Sequence, residues 1–89
     1  MEDLLSSTDS QAVMEILMKE LDVPQAQLTS DARFMEDLGA DSLTMVEITI
    51  ALEEHFGFSI PDERSEKVHT VGDVYELLAE LLQPSQARR

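Results

Sequence analysis

Apolar residues recur at helical spacing along most of the chain, beginning after Thr8. The stretch Thr8-Asp9-Ser10-Gln11 fits a capping box, which predicts Thr8 as the N-cap of a first helix. The apolar positions that follow share one face at about 100° per residue, namely Val13, Met14, Leu17, Met18 and Leu21. Because the residue before a proline resists helical geometry, Val23-Pro24 is expected to end this helix.

A second helix is predicted from Gly39-Ala40-Asp41-Ser42 to about Gly57. On a helical wheel, its core face carries Met45, Ile48, Leu52 and Phe56. A second apolar face, roughly opposite, consists of Leu43, Val46 and Ile50 and is bordered by Glu47, Glu53 and Glu54. This second face is covered by the loop 22–41 or is exposed as a docking surface, since apolar anchors within a polar rim are ordinary interface anatomy.

The last helical pattern follows Thr70, which together with Asp73 resembles an N-terminal cap. Its apolar face consists of Val71, Val74, Leu77, Leu78, Leu81 and Leu82, and Gln83-Pro84 is expected to stop it. Before it, Ser59-Ile60-Pro61-Asp62 predicts a restart, with a proline suited to a first helical position and a short turn or helix at 62–67.

The segment 22–41 has no clean hydrophobic period, and its apolar residues Phe34, Met35 and Leu38 are expected to anchor it, with Phe34 and Leu38 pinning it to the core. No segment shows the alternation of a strand. The chain therefore predicts an all-α fold, a small bundle of three main helices and one short helix. We expect a single domain over 1–89, with a core at about 8–83 and short flexible tails at 1–7 and 84–89.

Composition narrows the possible partners. The 89 residues include 19 acids against 6 Lys and Arg, which gives a net charge of −13 and argues against nucleic acid and anionic membranes as partners. Eight of the acids and no Lys or Arg lie in the stretch from Phe34 to Glu63, with Glu63 included. All charged side chains of this stretch are acidic. They form either a solvated acidic surface or the source of an electric field that steers basic partners towards the chain. With no signal-peptide pattern and no membrane-spanning run, we expect a soluble, cytoplasmic monomer.

Ser42 is the candidate reactive residue, although helix capping shared with Asp41 is its ordinary role. Its GADSL context is not the elbow of a serine hydrolase, and His55 lies about 19 Å further along the same helix. Only His69 remains as a base, and two histidines without cysteine make no zinc site. A helix N-terminus stabilises an attached anion by about 0.3–1 kcal/mol, so a phosphodiester on Ser42 is compatible with the site.

The stretch Asp37-Leu38-Gly39-Ala40-Asp41-Ser42-Leu43 resembles the 4′-phosphopantetheine attachment motif of acyl carrier proteins. The resemblance covers about residues 10–82 and also rests on the matching stretches Phe34-Met35-Glu36-Asp37, Val46-Glu47-Ile48, Ala51-Leu52-Glu53-Glu54, Ile60-Pro61-Asp62-Glu63 and Glu66-Lys67. It implies a four-helix bundle with a short third helix. It also explains how a chain without cysteine performs thioester chemistry, since the cofactor supplies the thiol.

By the same resemblance, Ser42 carries 4′-phosphopantetheine and Asp41 belongs to the recognition site of the phosphopantetheinyl transferase. The partner-binding positions implied are Leu43, Val46, Glu47, Ile50, Glu53 and Glu54. They would meet basic patches on acyltransferase, ketosynthase and other synthase enzymes, while the chain itself catalyses nothing. An acyl chain is expected in a space bordered by Phe34, Val46, Leu52 and Ile60.

Thr44 departs from the family pattern, because carriers of primary fatty acid synthesis usually have an acidic residue there. This departure favours a discrete carrier of polyketide or other specialised synthesis. Housekeeping fatty acid synthesis is the close alternative, and an aminoacyl or peptidyl carrier is less favoured. A different class also stays open, an acidic helical adaptor that binds proteins without being modified.

Overall fold

The computed structural model describes residues 6–82 as a bundle of four helices. Their bounds are Ser7–Leu21 (α1), Ser42–Phe56 (α2), Asp62–Ser65 (α3) and Val71–Leu82 (α4), with one 3₁₀ turn at Gln25–Gln27. Within this range there are no strands, only a single antiparallel bridge between Arg33 and Thr70. The all-α prediction, with a short third helix, is confirmed. None of the helices in residues 6–82 has the length and apolar character needed to span a bilayer.

Helix α1 starts earlier than predicted. The N-cap is Ser6, whose Oγ accepts a hydrogen bond from the Asp9 N–H at 3.1 Å, so the prediction of Thr8 as the cap is wrong. Ser6 offers the same hydroxyl two residues earlier and lets the helix begin at Ser7, inside the stretch that was predicted to be a tail. The remaining expected tail residues, 1–5 and 84–89, and the stop at Gln83-Pro84 lie outside the described residues.

Helix α1 ends at Leu21 because Asp22 takes up the left-handed conformation, with φ 57°. Its N–H donates to the Met18 carbonyl, which satisfies one of the free carbonyls at the helix end. The stop therefore falls just before the expected Val23-Pro24. Val13 and Leu17 are fully buried, and the other three predicted core residues of α1 pack against them half-buried.

Helix α2 has local signals at both ends, and its predicted bounds are confirmed. Asp41 is the N-cap, and Gly57 is the C-cap with φ 78°, a backbone conformation that a residue with a Cβ adopts only with strain. The Gly57 N–H donates to the Glu53 carbonyl at 2.8 Å and closes the last turn.

Helix α4 begins with the predicted cap, which is reciprocal. The Asp73 N–H donates to Thr70 Oγ1 at 3.1 Å, and the Asp73 carboxylate accepts from the Thr70 N–H at 3.1 Å and the His69 N–H at 3.0 Å. Helix α3 starts one residue after Pro61 rather than at it, and it stops before Glu66.

Backbone pairing ties the segment 22–41 to the start of α4. The Phe34 N–H donates to the His69 carbonyl at 2.9 Å, and the Val71 and Gly72 N–H groups donate to the Ala32 and Ser30 carbonyls at 3.0 and 2.8 Å. Phe34 and Leu38 are buried as expected, together with Leu28, Ala32 and Ala40. Met35, expected as a third anchor, is instead 56% exposed.

The core lies between α1, α2 and α4 and includes one residue that the wheel analysis missed. Tyr75 of α4 is 1% exposed, and its hydroxyl donates to the Ser10 carbonyl of α1 at 3.3 Å. This contact links two helices through residues that are 65 positions apart in the chain. The buried residues of α2 are Ile48 and Leu52, while Met45 and Phe56 pack half-buried against the core.

Acid is expected to weaken the cap of α4. Hydrogen bonds from the His69 and Thr70 N–H groups hold the pKa of Asp73 below its ordinary value of about 3.9. A carboxyl with a depressed folded-state pKa contributes stability above its unfolded pKa and loses it as pH falls through the folded value. From about pH 5 downward, urea melts should therefore show a steeper loss of unfolding free energy for the wild type than for Asp73→Asn. Parallel pH profiles for the two proteins would contradict this.

Candidate functional site

The loop that leads into α2 is held by the Asp37 side chain. Its Oδ2 accepts from the Arg33 N–H at 2.9 Å, while the Asp37 N–H donates to the Arg33 carbonyl at 2.8 Å. The Arg33 guanidinium also pairs with Asp37 and with Glu36. The backbone N–H bond, followed by the guanidinium bond, lowers the pKa of Asp37. After this turn, Gly39 takes φ 74°, which redirects the chain into the helix.

Asp41 and Thr44 form the first turn of α2. Oδ1 of Asp41 accepts from both the N–H and the Oγ1 hydroxyl of Thr44, each at 2.9 Å, and these bonds lower the pKa of Asp41. The departure of Thr44 from the family pattern thus has a structural consequence. An acidic residue at this position could not donate a side-chain hydrogen bond to Asp41 in its ionised form.

Ser42 is the first residue of α2 and is exposed. Its hydroxyl makes no hydrogen bond to any residue between 6 and 82. Because Asp41 performs the capping, the ordinary role of Ser42 as a cap is not the one observed. The Oγ atom is therefore accessible for modification, at a helix end that favours an attached anion.

Helix α2 presents two apolar faces, as predicted, and only one of them is buried. Leu43, Val46 and Ile50 are 64%, 52% and 46% exposed, so the loop 22–41 does not cover them. Together with the exposed carboxylates of Glu47 and Glu54, they form a continuous surface that we call the docking face. Exposed apolar groups of this size beside a polar border are typical of interaction sites.

Glu53 differs from the two other acids of the predicted border. It is half-buried, and its Oε2 accepts the Ile60 N–H at 2.7 Å. The sequence gives no local signal for this bond, because the two residues belong to a helix and to the loop after it.

A cavity of about 480 Å³ lies between α2, α3 and α4. Of the four residues expected to border an acyl space, Val46, Leu52 and Ile60 line it. Phe34 does not: it is 1% exposed within the core, and its neighbour Met35 lines the cavity instead. Lining residues that the sequence analysis missed include Met45, Thr49, Val68, Leu77 and Leu78. Ser42 also lines the cavity, so the space reaches the candidate modification site.

Neither histidine is paired with the Ser42 side chain among the described residues. His69 lines the same cavity as Ser42, but no hydrogen bond joins the two side chains. His55 stacks edge-on against Phe56 near the far end of α2. Between residues 6 and 82, no group of three or more His, Asp or Glu side chains is placed to hold a metal ion.

Comparisons with known proteins agree with this geometry. Residues 11–78 match the family model described as the phosphopantetheine attachment site. Among solved structures, the chain is similar to a candidate acyl carrier protein from Mycobacterium tuberculosis, with 28% identity and a TM-score of 0.74. That similarity covers 80% of this chain and 95% of the other.

The chain belongs to the family of phosphopantetheine-bearing carrier proteins, since the family match spans more than half of it. It is a carrier protein of the acyl carrier type, and its cofactor is 4′-phosphopantetheine. The residues present fit this group, because Ser42 Oγ is exposed and unbonded beside a cavity large enough for a chain-like molecule. Carriers of this type interact in general with synthase and transferase enzymes.

Proposed function

We propose that Ser42 is the attachment site of 4′-phosphopantetheine and that the chain delivers acyl groups to partner enzymes. The observation that carries the proposal is the exposed, unbonded Ser42 hydroxyl at the start of α2, inside the matched range 11–78. When bound, the cofactor supplies the terminal thiol that holds the acyl group as a thioester. The chain contributes attachment, orientation and recognition, and it is acted on by enzymes rather than being one.

The residues around Ser42 support an attached phosphodiester. The free N–H groups and the dipole at the start of α2 favour a negative charge there. The Asp41 carboxylate uses one oxygen, Oδ1, for the Thr44 cap. Its other oxygen, Oδ2, is not used by this cap, and we propose that it is available for recognition by the transferase.

The docking face supports delivery to enzymes with basic patches. Leu43, Val46 and Ile50 offer exposed apolar contacts, and Glu47 and Glu54 offer carboxylates that meet no cation among residues 6–82. The one-sign charge of the stretch from Phe34 to Glu63 speeds association with a basic surface. We propose the transferase, acyltransferases and ketosynthases as such partners.

We further propose that the cavity shelters the acyl chain. It is lined mainly by apolar side chains, among them Val46, Leu52 and Ile60, and it begins beside Ser42. Half-buried Met45 adds a side chain that adapts to different shapes. For the pathway, Thr44 in place of an acid supports polyketide or other specialised synthesis, with fatty acid synthesis as the alternative.

Modification is the direct test. Incubation with a phosphopantetheinyl transferase, coenzyme A and Mg²⁺ should convert the protein to a form that carries a single adduct in intact-mass spectra. Ser42→Ala should remain unmodified and should change the unfolding free energy by no more than about 0.5 kcal/mol, since Asp41 caps the helix. Ser59→Ala, at another exposed serine, should be modified like the wild type. An adduct elsewhere would refute the site, and no adduct would favour the unmodified adaptor.

Charge reversal on the docking face should affect association. Glu47→Lys should leave stability within about 0.5 kcal/mol of the wild type, because the side chain is exposed. The same change should lower kcat/KM for modification by the transferase, most strongly at low salt. Glu15→Lys, an equal charge change at an exposed position on α1, is the matched control. Equal kinetic losses in both variants would show an effect of net charge rather than of the docking face.

A substitution on the core face of α2 should lower stability and leave association with partner enzymes unchanged. Leu52→Ala should cost about 2–5 kcal/mol of unfolding free energy, because the side chain is 3% exposed and its removal leaves a void. The folded fraction should show no salt-dependent docking defect.

Cargo length provides a test of the cavity. Each methylene that enters should stabilise the loaded protein by about 0.8 kcal/mol before repacking, so the thermal midpoint should rise with acyl length. A thermal midpoint that does not change with acyl length would show that the acyl group stays outside the cavity.

A further inference from the structure

Glu53 contacts the cavity from the edge of the docking face. It lines the cavity, it is half-buried, and its Oε2 holds the Ile60 N–H at 2.7 Å. Glu47 and Glu54, on the same helix, are exposed and accept no hydrogen bond from a side chain or backbone N–H of the described residues. Among the three acids, Glu53 alone joins α2 to the segment that follows it.

The wall of the cavity formed by Ile60 and α3 depends on few contacts. No residue of the four-residue helix α3 is buried. On one side, Arg64 pairs with Glu80 of α4, and at the entry the Glu53 carboxylate holds Ile60. Pro61 has no N–H, so the Ile60 N–H is the last backbone donor before the helix begins. Ile60 itself is 6% exposed and lines the cavity.

We propose that Glu53 is a positioning residue that holds the Ile60–α3 wall closed, and that a partner's guanidinium group which pairs with Glu53 releases this wall. The proposal rests on the proposed function and adds a link between docking and access to the cargo. A guanidinium group binds a carboxylate through both oxygens, in bonds whose donor and acceptor are both charged, whereas the Ile60 N–H is a single neutral donor to the same carboxylate. A cation at the docking face therefore competes with the Ile60 N–H for Oε2.

The holding role is tested on the unmodified protein by amide hydrogen exchange. Glu53→Ala should speed exchange of the Ile60 amide by about tenfold or more, since it removes a hydrogen bond to a charged group. Glu53→Gln, whose amide oxygen still accepts, should keep most of the protection. Glu47→Ala, which removes the same charge from the same helix, should leave the Ile60 amide unchanged. The Leu17 amide in α1 reports global unfolding, and in every variant it should exchange more slowly than the Ile60 amide, which shows that Ile60 exchanges by local opening.

The release step is tested with a short oligoarginine peptide. Saturation of the wild type should speed exchange of the Ile60 amide towards the rate in Glu53→Ala. In Glu53→Gln, the peptide should shift the amide signals of residues 46–50 on α2 without further speeding Ile60. Unchanged Ile60 exchange in Glu53→Ala would overturn the holding role. Unchanged exchange in the wild type with peptide bound would overturn the release.

A loaded form adds an independent readout. With an eight-carbon acyl thioester attached, Glu53→Ala should react with hydroxylamine faster than Glu47→Ala and the wild type, because its cavity wall is open. Equal rates in the three proteins would contradict a protective wall. The two proposals fail separately: absence of an adduct on Ser42 would reject the attachment site, whereas the exchange experiments need no cofactor.

Discussion

Three backbone hydrogen bonds between residues 30–34 and 69–72 hold the rest of the structure in place. They fix a segment of 20 residues between α1 and α2 that has little helical structure of its own. Phe34 is buried by this pairing, and its carbonyl in turn accepts the Ala40 N–H at 2.9 Å, just before the cap of α2. The position of Ser42 therefore depends on pairing with a part of the chain about 30 residues away, as well as on the local cap.

Helix α2 meets two requirements that ordinarily conflict. One apolar face packs into the core through Ile48 and Leu52, while the opposite face stays exposed to water. Exposed apolar surface lowers solubility, and the neighbouring carboxylates offset this effect because like charges keep copies of the chain apart. Under the proposed function, the same carboxylates raise the rate of encounter with basic partner enzymes. Charge thus serves solubility and recognition at one surface.

Residues that lie close together in the sequence motif have different roles in the structure. Asp41 caps the helix with help from Thr44, which leaves Ser42 free of hydrogen bonds within the described chain. Glu53 and Glu47 both border the exposed apolar face of α2 on a helical wheel, about 120° apart, yet only Glu53 takes part in the bundle through Ile60. Glu53 lies beside the docking face and lines the cavity, and under our proposal it connects partner binding to the cargo.

The sequence by itself determined the helical segments and the two faces of α2, because these depend mainly on residues close in the chain. Asp41, Gly57 and the Thr70–Asp73 pair act within one turn, and the two faces of α2 follow from a fixed rotation per residue. The start of α1 was predicted wrongly because Ser6 and Thr8 offer equivalent hydroxyl groups for the same helix cap. Only the tertiary structure decided that Phe34 enters the core while Met35 lines the cavity, and that Glu53 binds Ile60. These outcomes depend on which surfaces meet when the helices pack. The pattern of apolar and polar residues along the chain does not indicate which segments will be in contact.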